Sequence, residues 1–249
     1  MHLNFARGRI LIFCLLPVLC MVKASPTEKR VIALPQRMLW TWEREEDVSR
    51  IAGPAVGVAF LDQTVELGPH GVVIRPQRNR LTLPANVPLA AVVRVEPLGS
   101  ARLDEPSQDA TAAAILRTAG RSAVREVQVD FDATRSQRKF YEQVLRKVRA
   151  GLPPAMPLSI TALVSWCSYD DWIGDLPVDE AVPMYFRMGP DGRRENAELL
   201  RLREPLCRHS LGVSTREARN VDPAGKRVYV FADEGWQLDA PLLAEVRLK

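Results

Sequence analysis

Short apolar or β-branched runs recur along this chain, and most of the intervals between them carry helical periodicity. Runs bounded by Pro, Gly, Asp or Asn fall at 37–43, 56–61, 91–96, 126–133, 158–167, 181–188, 211–215 and 227–233, and they read as eight strands. The clearest helix covers 134–150, where Phe140, Val144, Leu145 and Val148 repeat at helical spacing. Asp132 or Thr134 can cap its start, and Gly151 with Pro153 stops it. An alanine-rich helix over 106–118, a third over 193–202 with Leu199, Leu200 and Leu202, and short segments near Asp47 and at 241–246 complete the set. The stretch 72–84 breaks the rhythm. There Val72-Val73-Ile74 and Leu81-Thr82-Leu83 flank Gln77-Arg78-Asn79 like a hairpin inserted after the second strand.

Strands that alternate with helices argue for parallel pairing, because a parallel neighbour needs a crossover of about a dozen residues or more. The expectation is an α/β protein, a small closed (β/α)8 TIM-type barrel over 25–249 with a β-hairpin insertion after strand 2. An open doubly wound sheet is the alternative. It usually carries a Gly-rich phosphate loop after the first strand, and Trp40-Thr41-Trp42-Glu43 is nothing like one.

Composition then narrows the context. The chain of 249 residues is 47% hydrophobic and 26% charged, inside the ordinary globular range. Its net charge of +4 belongs mostly to the first 24 residues, which hold Arg7, Arg9 and Lys23 and no acid; without them 31 of the 34 bases face 30 acids. A balanced chain lacks the basic footprint of phosphate-backbone binding, so no nucleic acid partner is expected. Two arginines before an apolar run over 10–22, then Val22-Lys23-Ala24, read as a signal peptide over 1–24, cleaved near Ala24. The run is shorter than the ~20 residues a spanning helix needs, so no stable membrane span is expected, and a lipid anchor at Cys20 is the rival reading. The destination is then the periplasm or the medium. Cys14 and Cys20 leave with the leader, and Cys167 and Cys207 remain, as a disulfide or as two separate buried thiols. His70 and His209 stand without metal-ligand spacing, so neither a metal nor a cofactor is expected.

In a barrel of this kind chemistry sits at the carboxyl ends of the strands. Asp179 and Glu180, just before the sixth strand, therefore read as caps or ion-pair partners at the bottom. The segment Glu126-Val127-Gln128-Val129-Asp130-Phe131-Asp132 alternates, which puts Val127, Val129 and Phe131 under the helices and Gln128, Asp130 and Asp132 in the lumen. Two lumen carboxylates at the carboxyl end suit general acid work, because burying like charges together keeps one of them protonated. On the neighbouring strand Arg94 and Glu96 share a face and reach the same mouth, although an arginine among acids is also how an inert ion-pair network looks. Trp40, Trp42, Trp166, Trp172 and Trp236 all fall near strand ends at the upper rim, where flat indoles would stack on sugar rings; for Trp40 and Trp42 core packing is the competing reading. Arg187, ending the sixth strand, would hold an acidic group of the substrate or Asp132. Glu43, Asp233 and Glu234 lie at the right level but also suit solvated loops.

Asp130-Phe131-Asp132, Leu158-Ser159-Ile160-Thr161-Ala162-Leu163, Trp166-Cys167 and Asp179-Glu180-Ala181-Val182-Pro183-Met184 resemble the bacterial domain of unknown function 3142 family, from about Met38 to Trp236. That resemblance implies a fold and no reaction. More loosely, the chain is similar to chitinase-like glycoside hydrolases, in which an Asp-rich run ends the fourth strand, Met-x-Tyr-Asp marks the sixth and a tryptophan follows the eighth. Asp130, Asp132, Met184 and Trp236 match in kind. The departures are Thr134, where those enzymes place a catalytic glutamate, and Arg187, where they place an aspartate. A chitinase mechanism therefore does not carry over.

These observations converge on an exported glycoside-hydrolase-like barrel that acts on a cell-envelope or extracellular polysaccharide or oligosaccharide. Asp130, Asp132 and Glu96 would be the catalytic carboxyls, and Arg94, Trp40, Trp166, Trp172, Arg187 and Trp236 would bind substrate. The alternative is a non-catalytic barrel that binds a glycan or a partner protein, which Thr134 favours.

Overall fold

The computed structural model describes residues 34–186, 202–217, 223 and 225–244. Its strands are β1 (Arg37–Thr41), β2 (Glu46–Asp47), β3 (Val56–Gly68), β4 (Gly71–Pro76), β5 (Leu81–Thr82), β6 (Leu89–Pro97), β7 (Val124–Asp130), β8 (Leu158–Leu163), β9 (Glu180–Met184), β10 (Ser210–Ser214) and β11 (Arg227–Phe231). The helices are α1 (Glu105–Ala119), α2 (Arg138–Gly151), α3 (Val164–Ser168) and α4 (Trp236–Asp239). Strands β1, β3, β6, β7, β8, β9, β10 and β11 pair in parallel in that order, and β1 pairs with both β11 and β3. The ring is therefore closed, a small TIM-type barrel. Among the described residues no helix is long and apolar enough to cross a membrane.

Two apolar surfaces hold the ring. The lumen is filled by Met38, Trp40, Ala59, Ala90, Val92, Val182 and Tyr229. Small residues make room for large ones there: a Cβ on Gly57 would stand 2.5 Å from the Met38 sulfur, and one on Gly212 would stand 2.7 Å from that of Met184. Outside, Val127, Val129 and Phe131 pack against Ile115 of α1 and Phe140, Tyr141, Val144, Leu145 and Val148 of α2, all buried. Those five α2 positions recur at helical spacing and make one apolar stripe. The alternation in β7 thus sends its apolar set under the helices and Glu126, Gln128 and Asp130 inward. Helix α1 starts where Asp104 accepts from the Ser107 backbone N–H at 3.1 Å, with a proline in the first turn.

The insertion after the second barrel strand is a hairpin, but a different pair of segments builds it. Strand β3 runs on to Gly68, and β4 folds back antiparallel from Gly71, which has φ +124°, a value glycine adopts freely. Leu81–Thr82 instead pairs in parallel with Glu46–Asp47, so the short segment near Asp47 is strand and not helix. Asp62 and Gln63 look like a strand end in sequence. In the fold they sit at a bulge between Leu61 and Gln63, where Gln63 donates to the Ala114 carbonyl at 2.8 Å and Thr118 donates to Asp62 at 2.6 Å. The fifth barrel strand stops at Leu163, four residues short of expectation, and α3 turns Trp166 and Cys167 outward. Cys167 and Cys207 form a disulfide, with Cα atoms 5.8 Å apart. A 3-10 turn, Ala240–Ala244, stands in the last predicted helical segment. The leader over 1–24, nearly all of the predicted helix over 193–202, and Arg187 lie outside the described residues.

Candidate functional site

A cavity of about 750 Å³ opens at the carboxyl ends of the barrel strands. In its wall are Asp130 and Asp132, one from the last residue of β7 and one from the loop after it, together with Arg94 and Glu96 of β6. Arg94 lies in register beside Asp130 across the β6–β7 pair, which is why two neighbouring strands deliver their polar side chains to one place. The opposite wall is aromatic. Trp40 packs on Phe231 with ring centroids 4.1 Å apart, Phe186 packs on Phe231 at 4.6 Å, and Trp42 lies 6.0 Å from Trp40.

The two aspartates have different surroundings. Asp130 is half-buried and accepts from the Thr161 hydroxyl at 2.7 Å. Burial pushes its carboxyl up to about 6, and the charge of Asp132 adds to that; the Thr161 hydrogen bond and Arg94 act in the other direction. Asp132 stands exposed at the rim, and its carboxyl is also raised by loss of solvation, against the pull of Arg94. Arg94 is already engaged: Nη2 lies 3.4 Å from Glu96 Oε1, Nη1 lies 3.8 Å from Glu43 Oε1, and the guanidinium sits 5.3 Å from the Trp42 ring centre. The indole Nε1 of Trp40, a residue 2% exposed, has no hydrogen-bond partner.

Three of the tryptophans expected at the rim are elsewhere. Trp166 is buried outside the barrel, edge-on to Trp172 at 4.8 Å, because β8 ends before it and α3 carries it outward. Trp172 is half-buried in the same outer cluster, with the Arg138 guanidinium 4.9 Å from its ring centre. Trp236 is buried in the apolar layer outside the barrel, with Leu39, Val58, Val228 and Val230. Its Nε1 donates to the Trp40 carbonyl at 2.9 Å and its backbone N–H to Glu46 at 2.8 Å, so it ties the end of β1 in place. Trp40 and Trp42 do line the cavity, as do Asp233 and Met184. Phe186, Phe231, Arg44 and Ser165 line it without having been foreseen. Phe231 was within reach of the sequence, since it shares a strand face with Tyr229 at a period of two.

Deeper in the lumen a second polar cluster closes the floor. Arg227 donates to both oxygens of Glu180, at 3.1 and 3.2 Å, and the Tyr229 hydroxyl donates to Glu126 at 3.2 Å and to Glu180 at 3.3 Å. Ser159 donates to Glu126 as well. Burial raises Glu126 to about 7, and the charge of Glu180 works in the same direction against Arg227. Asp179 accepts from the Leu158 backbone N–H at 2.8 Å, in keeping with a role at the bottom. Among the described residues no group of three or more His, Cys, Asp or Glu side chains could hold a metal ion. No protein-family model matches the chain, and no curated protein matches it at a significant level.

Proposed function

We propose that this barrel is an exported protein of glycoside-hydrolase type that acts on a polysaccharide or oligosaccharide of the cell envelope or its surroundings. One observation carries the reading: two carboxyls, Asp130 and Asp132, share a wall of an open cavity whose facing wall is built of flat aromatic rings. Aromatic faces suit the apolar faces of pyranose rings, and carboxyls suit acid and base work at a glycosidic oxygen. Asp130, raised to about 6 by burial, holds a proton over part of the mildly acidic range and is the better donor to the leaving oxygen. Asp132 or Glu96 then serves as base or nucleophile. Arg94 bears on the charge of both aspartates. The Cys167–Cys207 disulfide supports an oxidising destination, in line with the signal-like leader. The resemblance to the bacterial domain of unknown function 3142 family belongs to the same proposal.

The test is release of reducing ends from a panel of envelope glycans by the mature protein. Asp130→Asn is expected to lower the rate ~100-fold or more, the usual worth of a general acid. No release from any glycan would defeat the catalytic reading. A second reading, a barrel that binds a glycan without cleaving it, is favoured by Thr134. It is exposed in the loop before α2, its backbone N–H donates to Gln137 Oε1 at 2.8 Å, and it is not among the residues lining the cavity. Glycan affinity that survives Asp132→Asn with no turnover would select this reading.

A further inference from the structure

Resting on the glycan reading, we propose that the mouth selects a glycan bearing free amino groups over neutral and acidic glycans. Among the described residues the cavity is lined by four acidic residues, Glu96, Asp130, Asp132 and Asp233, the last with its Oδ2 accepting from the Thr215 hydroxyl and the Arg216 backbone N–H at 3.2 Å each, and by two basic ones, Arg44 and Arg94. Both guanidinium groups are already spoken for. Arg94 lies between Glu96 and Glu43, and Arg44 Nε lies 3.8 Å from Glu46, a carboxylate outside the lining, while its Nη1 donates to the Asp233 carbonyl at 3.5 Å. A uronic acid entering here meets more acidic than basic residues, and both guanidinium groups already face acids. An ammonium group meets Asp132 at the exposed rim and carboxylates beyond it, beside aromatic faces that also attract cations.

A second observation is independent of charge. Trp40 projects from the lumen face of β1 into the cavity wall, and its buried indole Nε1 lacks an acceptor. Buried donors are rarely left this way, and a small shift of the ring on binding would let the hydroxyl or ring oxygen of a sugar satisfy this one. A simple organic cation brings no such acceptor. The fitting ligand therefore carries oxygen acceptors on one side and a positive charge on the other, as an amino sugar does. A cavity of about 750 Å³ lies within the range of clefts that enclose small-molecule ligands.

Titration calorimetry of the mature protein near neutral pH tests this with four tetrasaccharides: β-1,4-linked glucosamine, its fully N-acetylated form, cellotetraose and a galacturonate tetramer. The amine tetramer is expected to bind ~10-fold tighter than the acetylated or plain glucan tetramer, with the galacturonate weakest, and the preference is expected to shrink as salt is raised. Asp132→Asn should cut the ratio of amine-tetramer to cellotetraose affinity several-fold; Glu96→Gln repeats the measurement should the first variant fail to fold. Equal or tighter binding of a neutral or acidic tetramer overturns the amine preference and leaves the glycan reading standing. Failure of all four to bind a protein with an intact melting transition overturns both.

Discussion

The lumen holds two clusters of acids, one at its floor and one at its mouth, and the same physics treats them to opposite ends. At the floor Glu126 and Glu180 are almost fully buried, and Arg227, Tyr229 and Ser159 saturate their oxygens. At the mouth Asp130 has the Thr161 hydroxyl, while Asp132 faces a cavity. Burial raises a carboxyl at both levels, Glu126 below and Asp130 above. At the mouth a cavity of about 750 Å³ lies beside the raised group, with room for a ligand. A perturbed carboxyl is therefore a poor guide to function until the space around it is known.

The largest effect that would break this contrast is at the floor. Arg227→Met removes the cation that faces Glu180 at 3.1 Å and leaves the buried Glu180 carboxylate without its counter-charge, with only the Tyr229 hydrogen bond remaining to it among the described contacts. Breaking a buried ion pair from one side costs about 3–5 kcal/mol, so equilibrium denaturation should show a loss of that size. A loss under ~1 kcal/mol would mean that the floor does not hold the barrel together. At the mouth, Trp42→Ala is expected to weaken glycan binding ~10-fold, about 1.4 kcal/mol, with little change in melting temperature. An unchanged affinity would remove Trp42 from the binding wall.

How stability varies with pH sharpens the contrast further. The folded protein holds the Glu126 proton more tightly than the unfolded chain does, with about 7 against the ordinary 4.5. This group's contribution is thus fully present below pH ~4.5 and is lost as pH climbs toward 7. Denaturation midpoints measured across that window should fall less steeply in Glu126→Gln than in the parent. Identical slopes would show that Glu126 does not exchange its proton on unfolding.

Much of the ring and its polar mouth was legible in sequence, because β7 alternates strictly on a strand covered by helices. Once Val127, Val129 and Phe131 go under α1 and α2, Asp130 has only the lumen left. Arg94 followed from the same period on β6. What the pattern could not carry was direction beyond a strand's end. Trp166 lies three residues past β8, where one helical turn rotates it out, and Trp236 follows Gly235, whose φ of +96° redirects the chain into the apolar layer outside the barrel. The hairpin departs from the sequence pattern for a related reason. The polar pair at the β3 bulge looks like a strand end until α1 is seen to satisfy it.

The smallest effect bears on the mouth alone. Thr161→Val keeps the shape of the side chain and deletes the hydroxyl that donates to Asp130 Oδ1 at 2.7 Å. Loss of one hydrogen bond to a charged group costs about 1.5–3 kcal/mol where the acceptor stays ionised, and less here because Asp130 can take up a proton instead. The main consequence falls on the proton. That hydrogen bond opposes the burial that raises Asp130, so without it the carboxyl should titrate above its present value of about 6. Carbon-detected NMR of the Asp130 side chain, assigned by difference with Asp130→Asn, reads the shift directly. Any pH–rate profile governed by Asp130 should move upward with it, whereas Ser159→Ala at the floor should leave that profile where it was. An unmoved Asp130 titration would mean that Thr161 merely packs, and the mouth would then resemble the floor more closely than its open cavity suggests.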